Sequence, residues 1–160
     1  MASHVYLRAR DYDQGLQYAR IARDMTPKSS AAHLFLGRAL LAKRMYEEAI
    51  DAFGEALRLA GGNSLIVKAM LARAYAEAQK ATEARRILRE LEKSSKETPL
   101  GILAIAHIGL GHEQRALDLL ERAYEIGDPA LVGLKTSFIW DPLRFHPRFQ
   151  KLLKKMNFPE

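Results

Sequence analysis

Apolar residues recur three or four positions apart along most of the chain, which is the spacing of an amphipathic helix. In the stretch from Ser30 to Lys43, for example, leucines stand at positions 34, 36, 40 and 41. Short polar links such as residues 43–45 separate consecutive stretches. The pattern predicts helices over residues 30–43, 46–59, 64–78, 82–95, 99–109 and 113–126. Because short links force neighbouring helices to run antiparallel, these helices are expected to form α-hairpins.

The hairpins share one internal repeat. Alanine stands at positions 49, 84 and 116, and a large apolar residue follows four positions later in each unit, as Phe53, Leu88 and Leu120. The pattern also extends backwards, since Tyr46 aligns with Tyr12, 34 positions earlier. The mean period is about 34 residues, so the chain contains four consecutive units.

The recurring alanine has a physical explanation. Where the two helices of a hairpin cross closely, a large side chain would force them apart. A single hairpin cannot bury both of its faces, so each hairpin is expected to stabilise the next in a linear stack. The repeat therefore predicts an all-α solenoid whose small residues lie at the helix crossings.

Composition agrees with this fold and narrows the chemistry. The 160 residues include 24 Ala and 23 Leu but only 3 Val and 4 Thr, whereas strands favour β-branched residues. Cysteine is absent, which excludes disulfides, Cys-ligated zinc and a thiol nucleophile. The net charge of +6 is concentrated near the C-terminus, where residues 129–160 carry 6 basic and 2 acidic side chains. We interpret this excess as the solvated face of a last helix, because a nucleic-acid footprint would need a continuous basic stripe.

Two observations bear on location. The longest apolar run, residues 101–106, ends at His107 and falls far short of the ~20 residues that a membrane-spanning helix needs. Residues 1–4 carry neither the basic nor the apolar stretch of a signal peptide. A cytoplasmic location without membrane contact is therefore expected.

The sequence contains no recognisable set of catalytic residues. His107 and His112 are five residues apart across a predicted helix end, which does not fit two metal ligands at positions i and i+4 of one helix. Gly109 and Gly111 lack the third glycine and the preceding strand of a dinucleotide-binding motif. We predict that the chain is not an enzyme, that it needs no cofactor or metal, and that both histidines have packing or helix-end roles.

The repeated residues resemble those of the tetratricopeptide repeat (TPR) family over residues 3–129. The matching residues are Leu36, Gly37, Tyr46, Ala49, Phe53, Ala56, Tyr75, Ala84, Leu88, Gly111, Ala116, Leu120 and Ala123. The resemblance implies a right-handed TPR superhelix. It places the repeat array at residues 1–128, about three and a half repeats with the first truncated at its N-terminus, and capping helices at residues 129–160.

The last 23 residues are rich in aromatic side chains, with Trp140 and phenylalanines at positions 138, 145, 149 and 158. We predict that they seal the last hairpin against water; a ligand cage is the alternative. Prolines at positions 129, 142 and 147 suit helix starts, and Asp128 is expected to cap a helix that continues over residues 130–135. His146 stands where Asp is more usual and is expected to cap more weakly.

This tail resembles the ending of TPR arrays in bacterial multidomain signalling proteins, among them winged-helix transcriptional regulators and Ser/Thr protein kinases. The resemblance is carried by residues 128–129, 141–144, 147–149, 152–153 and 156. It implies that the chain is the C-terminal part of a larger bacterial regulator.

In TPR proteins the first helix of each hairpin lines a concave groove, and the resemblance places eight residues of this chain on that surface. They are Leu34, Arg38, Leu41, Ile66, Arg73, Glu77, Ile105 and Ile108. Arg38 and Arg73 hold equivalent places in neighbouring units, so their guanidinium groups are expected side by side. Such a pair suits an acidic peptide or a C-terminal carboxylate, and two solvated arginines without a ligand are the alternative. The predicted function is a non-catalytic scaffold that binds a peptide or partner domain in this groove.

A second prediction concerns the other end of the array. Relative to the TPR pattern, the first unit lacks about seven residues of its first helix, which would uncover apolar surface on the helix over residues 12–25. This surface predicts weak self-association or an intramolecular regulatory contact. Direct nucleic-acid binding is disfavoured, because no regular base-reading pair recurs along the units.

Overall fold

The computed structural model describes residues 5, 7, 10–94 and 98–157, and the regular structure within these ranges is helical, without strands. The α-helices are α1 (Tyr12–Met25), α2 (Ser30–Ala42), α3 (Tyr46–Leu59), α4 (Leu65–Glu77), α5 (Ala81–Lys93), α6 (Leu100–Gly109), α7 (Glu113–Glu125) and α8 (Pro147–Lys155). Two 3₁₀ segments, Pro129–Leu131 and Phe138–Leu143, connect α7 to α8.

The helix ends have local causes in the sequence. The Asp11 side chain accepts a hydrogen bond from the Gln14 amide at the start of α1, and Ser29 caps α2 in the same way through the Ala32 amide. Arg44, just after α2, has a φ of 61°, in the left-handed region that terminates helices. The predicted bounds of α2 to α7 are met to within two residues, and those of α3 are met at both ends.

The helices pack as a row of hairpins. In sequence order α2 packs on α3, α4 on α5 and α6 on α7, and among the first helices α4 contacts both α2 and α6. α1 packs on α2 in the same row. Because each hairpin rests on the next, the all-α solenoid predicted from the repeat is confirmed.

The small residues that the repeat predicts at the helix crossings are buried. Ala49, Ala84 and Ala116 are each fully buried. Gly37 of α2 makes a similar contact, because a Cβ atom built on it would lie 2.6 Å from the Phe53 ring of α3. The phenylalanine therefore occupies the space that the glycine leaves open.

The connection after α7 differs from the predicted helix over residues 130–135. The chain instead forms the 3₁₀ segment Pro129–Leu131 and then turns at Gly133, whose φ is 90°. The 3₁₀ segment and the turn that follows it bury Leu131 and Leu134 and leave Val132 exposed. The second proline step also differs from its prediction, since Pro142 lies inside a 3₁₀ segment rather than at a helix start.

The aromatic seal is formed by part of the predicted set. Phe138, Trp140 and Phe149 are buried, whereas Phe145 is 93% exposed, so its assignment to the seal was wrong. Phe145 lies in the turn just before α8 and faces away from the hairpins. The last predicted aromatic, Phe158, lies outside the described residues. The His146 side chain does cap α8, through the Arg148 amide at 3.2 Å.

Arg148 of helix α8 makes several hydrogen bonds to α7. The Arg148 guanidinium donates to both carboxylate oxygens of Glu121, at 3.0 and 2.8 Å, to Asp118 at 2.8 Å and to the Gln114 side chain at 3.1 Å. These hydrogen bonds hold the pKa of Glu121 below its usual range. The basic last helix is therefore partly engaged in binding its own neighbour rather than wholly solvated.

Candidate binding groove

The segment Phe138–Leu143 folds back across the first helices of the hairpins. It contacts α6, and the Phe138 ring packs edge-on against Tyr12 of α1 with 6.2 Å between the ring centroids. The Arg10 guanidinium binds the Asp141 carboxylate at 2.7 Å. The chain's own tail therefore covers part of the face that was predicted to be an open groove.

One buried arginine holds this segment to the array. Arg73 of α4 is 5% exposed, and its Nη1 donates a hydrogen bond to the main-chain carbonyl of Ile139. In a 3₁₀ segment that carbonyl would normally accept from the amide three residues later, but position 142 is a proline and has no N–H. Arg73 supplies the donor that the proline lacks.

A glycine allows α6 to approach α4 closely at this arginine. Gly109 of α6 lies against α4, and a Cβ atom built on it would be 2.7 Å from the Arg73 Cα. Burial lowers the pKa of Arg73, while Glu77, 3.5 Å away on the same helix, acts in the opposite direction. The Arg73 Nε is buried without a hydrogen-bond partner in the described part of the chain.

The covering segment is too well buried to be displaced easily. Phe138, Ile139, Trp140 and Leu143 are between 0 and 7% exposed. Burial of each such side chain stabilises by about 1.5–3 kcal/mol, so removing the segment would cost several kcal/mol. The segment therefore forms one wall of the groove.

The segment leaves two cavities on this face. The polar cavity, of about 560 Å³, is lined by Arg10, Tyr12, Leu41, Ala42, Arg44, Tyr46, Arg73, Glu77, Phe138, Asp141 and Pro142. The apolar cavity, of about 240 Å³, is lined by Arg38, Ile66, Met70, Ile105, Ala130, Val132, Gly133, Ser137, Ile139 and Trp140. Both cavities are built jointly by the array and by its tail.

The eight groove residues predicted from the resemblance are divided between these places. Leu41, Arg73 and Glu77 line the polar cavity, and Arg38, Ile66 and Ile105 line the apolar one. Leu34 is half-buried against the core, and Ile108 is buried. Arg38 and Arg73 thus line different cavities, and Arg73 binds the tail, so the structure does not present them as the open pair that was expected.

Sequence reasoning missed several residues that shape the polar cavity. Arg10, Arg44 and Asp141 enter it because the tail folds back and because α2 ends at a left-handed residue. Tyr46 was recognised as a repeat position but not as a cavity residue. The only local signal was Arg44, a long cationic residue placed where a helix must stop.

The histidine pair forms a separate feature on α6 and the following loop. The Nδ1 atoms of His107 and His112 are 3.2 Å apart, and His107 Nε2 lies 3.5 Å from a Glu92 carboxylate oxygen. Burial, reinforced by the charges of His112 and Arg115, lowers the pKa of His107 to about 4. Within the described ranges no three His, Asp or Glu side chains are grouped as a metal ion would require, and no helix is both long and apolar enough to cross a membrane.

Comparison with family models gives a match. The family model for the tetratricopeptide repeat matches residues 1–64, which contain α1 to α3. No curated protein is significantly similar to the chain. The hairpins α4–α5 and α6–α7 continue the same packing beyond the matched residues. The match and the helical architecture together support a TPR helical solenoid, a fold whose repeats generally mediate protein–protein interactions.

Proposed function

We propose that this chain is a non-catalytic module that binds a peptide or partner domain on the face lined by α2, α4 and α6. The observation that supports it is the Arg73–Ile139 hydrogen bond, in which this face already holds a peptide segment through its main chain. The same face keeps two open cavities beside that segment. A partner therefore has a surface to contact without displacing the tail.

The test uses the full chain against arrays of peptides and folded domains. Arg38→Glu reverses a charge in the apolar cavity and is expected to abolish capture of the bound members, while circular dichroism shows unchanged helix content. Arg85→Glu is the matched control, because Arg85 is exposed on α5 and lines neither cavity. Capture that survives Arg38→Glu would contradict binding at this face.

The second candidate function is self-association through α1. Tyr18, Ile21 and Met25 lie at positions i, i+3 and i+7 of α1 and are 38, 45 and 78% exposed. This spacing gives one apolar stripe, which a second copy of the chain would cover. Sedimentation at rising protein concentration should show a growing mass that Ile21→Glu abolishes and that Ile126→Glu, at an exposed residue after α7, preserves. A constant monomer mass would contradict this candidate.

The tail motif supports a wider setting. We propose that residues 1–128 form the array and residues 129–160 its cap, within a larger cytoplasmic bacterial regulator whose signalling module lies elsewhere in the protein. The supporting observations are the tail residues' resemblance to such proteins and their packing on α6 and α7. The reading frame of the gene around this segment tests the proposal, and a frame without a signalling domain would contradict it.

A further inference from the structure

The polar cavity has the size of a ligand site. Its volume of about 560 Å³ lies within the usual range of such sites. Tyr12 of α1, Tyr46 of α3 and Arg73 of α4 line it from the array, and Phe138 and Asp141 line it from the tail. The cavity therefore exists only because the tail folds back onto the helices, and its lining combines both parts of the chain.

The side chains that line the polar cavity carry more positive than negative charges. The lining contains three arginines and two carboxylates. Arg10 binds Asp141 at 2.7 Å, and Arg73 binds the Ile139 carbonyl and lies near Glu77. The guanidinium of Arg44 forms no ion pair or side-chain hydrogen bond with the described residues. One positive charge is left over at this cavity.

The base of the Arg44 side chain is fixed. Its main-chain amide donates to the Leu41 carbonyl at 3.0 Å, and the Met45 amide donates to Leu40 at 2.9 Å, which together close the end of α2. The left-handed φ of 61° at Arg44 belongs to this turn. A cationic side chain thus begins from a fixed turn at the edge of a cavity that Arg73 also lines.

We propose that the polar cavity binds the carboxylate of an Asp or Glu side chain in a partner peptide, and that Arg44 is the residue that recognises it. The tail shows the required chemistry, because the Asp141 carboxylate is bound at the cavity by Arg10 and by Arg144 at 2.7 and 3.1 Å. Arg44 is the lining cation without an ion-pair partner, which suits a single negative charge, and Glu77 and Asp141 would repel a dianion such as a phosphate more strongly than a carboxylate. This inference rests on the proposed function and specifies its ligand.

The experiment compares two libraries of N-acetylated, C-amidated hexapeptides with the full chain. One library has Glu fixed at the third position and the other has Gln, with the remaining positions randomised. The best Glu peptide is expected to bind about tenfold more tightly than its Gln counterpart, the effect of one charge-assisted hydrogen bond. Arg44→Gln should remove this ratio, Arg44→Lys should retain part of it, and Arg85→Gln, the matched control on α5, should leave it unchanged.

The other outcomes separate this inference from the proposed function. Equal affinity for Glu and Gln peptides, or equal effects of Arg44→Gln and Arg85→Gln, overturns the carboxylate site but leaves peptide binding by the groove intact. Tighter binding of a phosphoserine peptide, or of a single-stranded oligonucleotide, with loss in Arg44→Gln overturns the choice of a carboxylate. If neither library binds, the carboxylate site is overturned, and the Arg38→Glu comparison on folded domains still decides the proposed function.

Discussion

The two ends of the described solenoid differ in how far their apolar side chains are buried. At the C-terminal end, Phe149 and Leu152 of α8 are buried, and Arg148 fastens the helix to α7 through carboxylates. At the N-terminal end, α1 leaves Ile21 and Met25 exposed. An end hairpin has one face that no further repeat covers. The comparison shows that the described residues bury the apolar side chains of α8, whereas Ile21 and Met25 of α1 stay open to solvent or to a partner.

The distribution of buried polar groups differs in the same direction. The buried polar or charged residues in the described part of the chain are Arg73, Thr98, His107 and Asp128, all in α4 or beyond it. Each of them contacts a specific main-chain or side-chain partner. The part of the chain from α4 onwards is therefore specified by directional hydrogen bonds of buried polar groups, and α1 to α3 mainly by apolar packing.

The largest effect on folding stability is expected from a substitution in α8, at the C-terminal end of the solenoid. Phe149→Ala removes a fully buried ring and should lower the free energy of unfolding by about 3–5 kcal/mol, measured by urea denaturation. Phe145→Ala is the matched control, because the same residue type four positions earlier is 93% exposed, and its effect should stay within about 0.5 kcal/mol. Equal effects of the two substitutions would refute the seal.

A smaller loss of folding stability is expected from a substitution at Asp128, where the tail begins after α7. The Asp128 carboxylate accepts hydrogen bonds from the amides of Ala130, at 2.8 Å, and of Gly101, at 3.1 Å. Asp128→Ala leaves both amides without this acceptor and should cost about 1–3 kcal/mol in thermal or urea unfolding. Asp51→Ala on α3, at an exposed aspartate of the other half, should change stability by less than about 0.5 kcal/mol.

The buried imidazole makes the second half sensitive to pH. The folded pKa of His107, about 4, lies below the value of 6.5 in an unfolded chain, so the unfolded state binds more protons between these values. Stability should therefore fall as the pH drops from about 6.5 towards 4, by on the order of 1–3 kcal/mol. His107→Leu should flatten this dependence in urea titrations at pH 7 and 5, whereas His33→Gln on α2 should not. A slope that persists in His107→Leu would point to another group.

The smallest effect on folding stability is expected from a substitution of an exposed residue of α1. Met25→Gln replaces a side chain that is 78% exposed and should change the free energy of unfolding of dilute protein by less than about 0.5 kcal/mol. A loss above about 1 kcal/mol at low concentration would mean that α1 is covered within the monomer, and the contrast between the two ends would disappear.

The parts of the fold that repeat could be predicted from the sequence, and the parts that do not repeat could be predicted only in part. The bounds of α3 and the burial of Ala84 follow from a local period, because each hairpin meets the same neighbours at the same spacing. The Arg73–Ile139 contact joins residues 66 positions apart, and no periodic signal connects them. Arg73 therefore looked like a solvent-facing groove residue.

The two phenylalanines at 145 and 149 show the same limit on a smaller scale. Both belong to an aromatic-rich tail, and four-residue spacing suggests one helical face. The helix begins only at Pro147, so Phe145 stands in the preceding turn and Phe149 alone follows the helical direction. Composition predicted a seal, but the position of the helix start decided which ring takes part.

The proline at position 142 makes the tail dependent on the array. Its ring nitrogen cannot complete the local turn, so a free tail would leave the Ile139 carbonyl to water, and only the assembled helices offer a donor for it. Any other residue at this position would bring its own amide and compete with the guanidinium. Because Pro142 lacks an amide hydrogen for the Ile139 carbonyl, the ordered conformation of the tail depends on the packed helix α4 that carries Arg73.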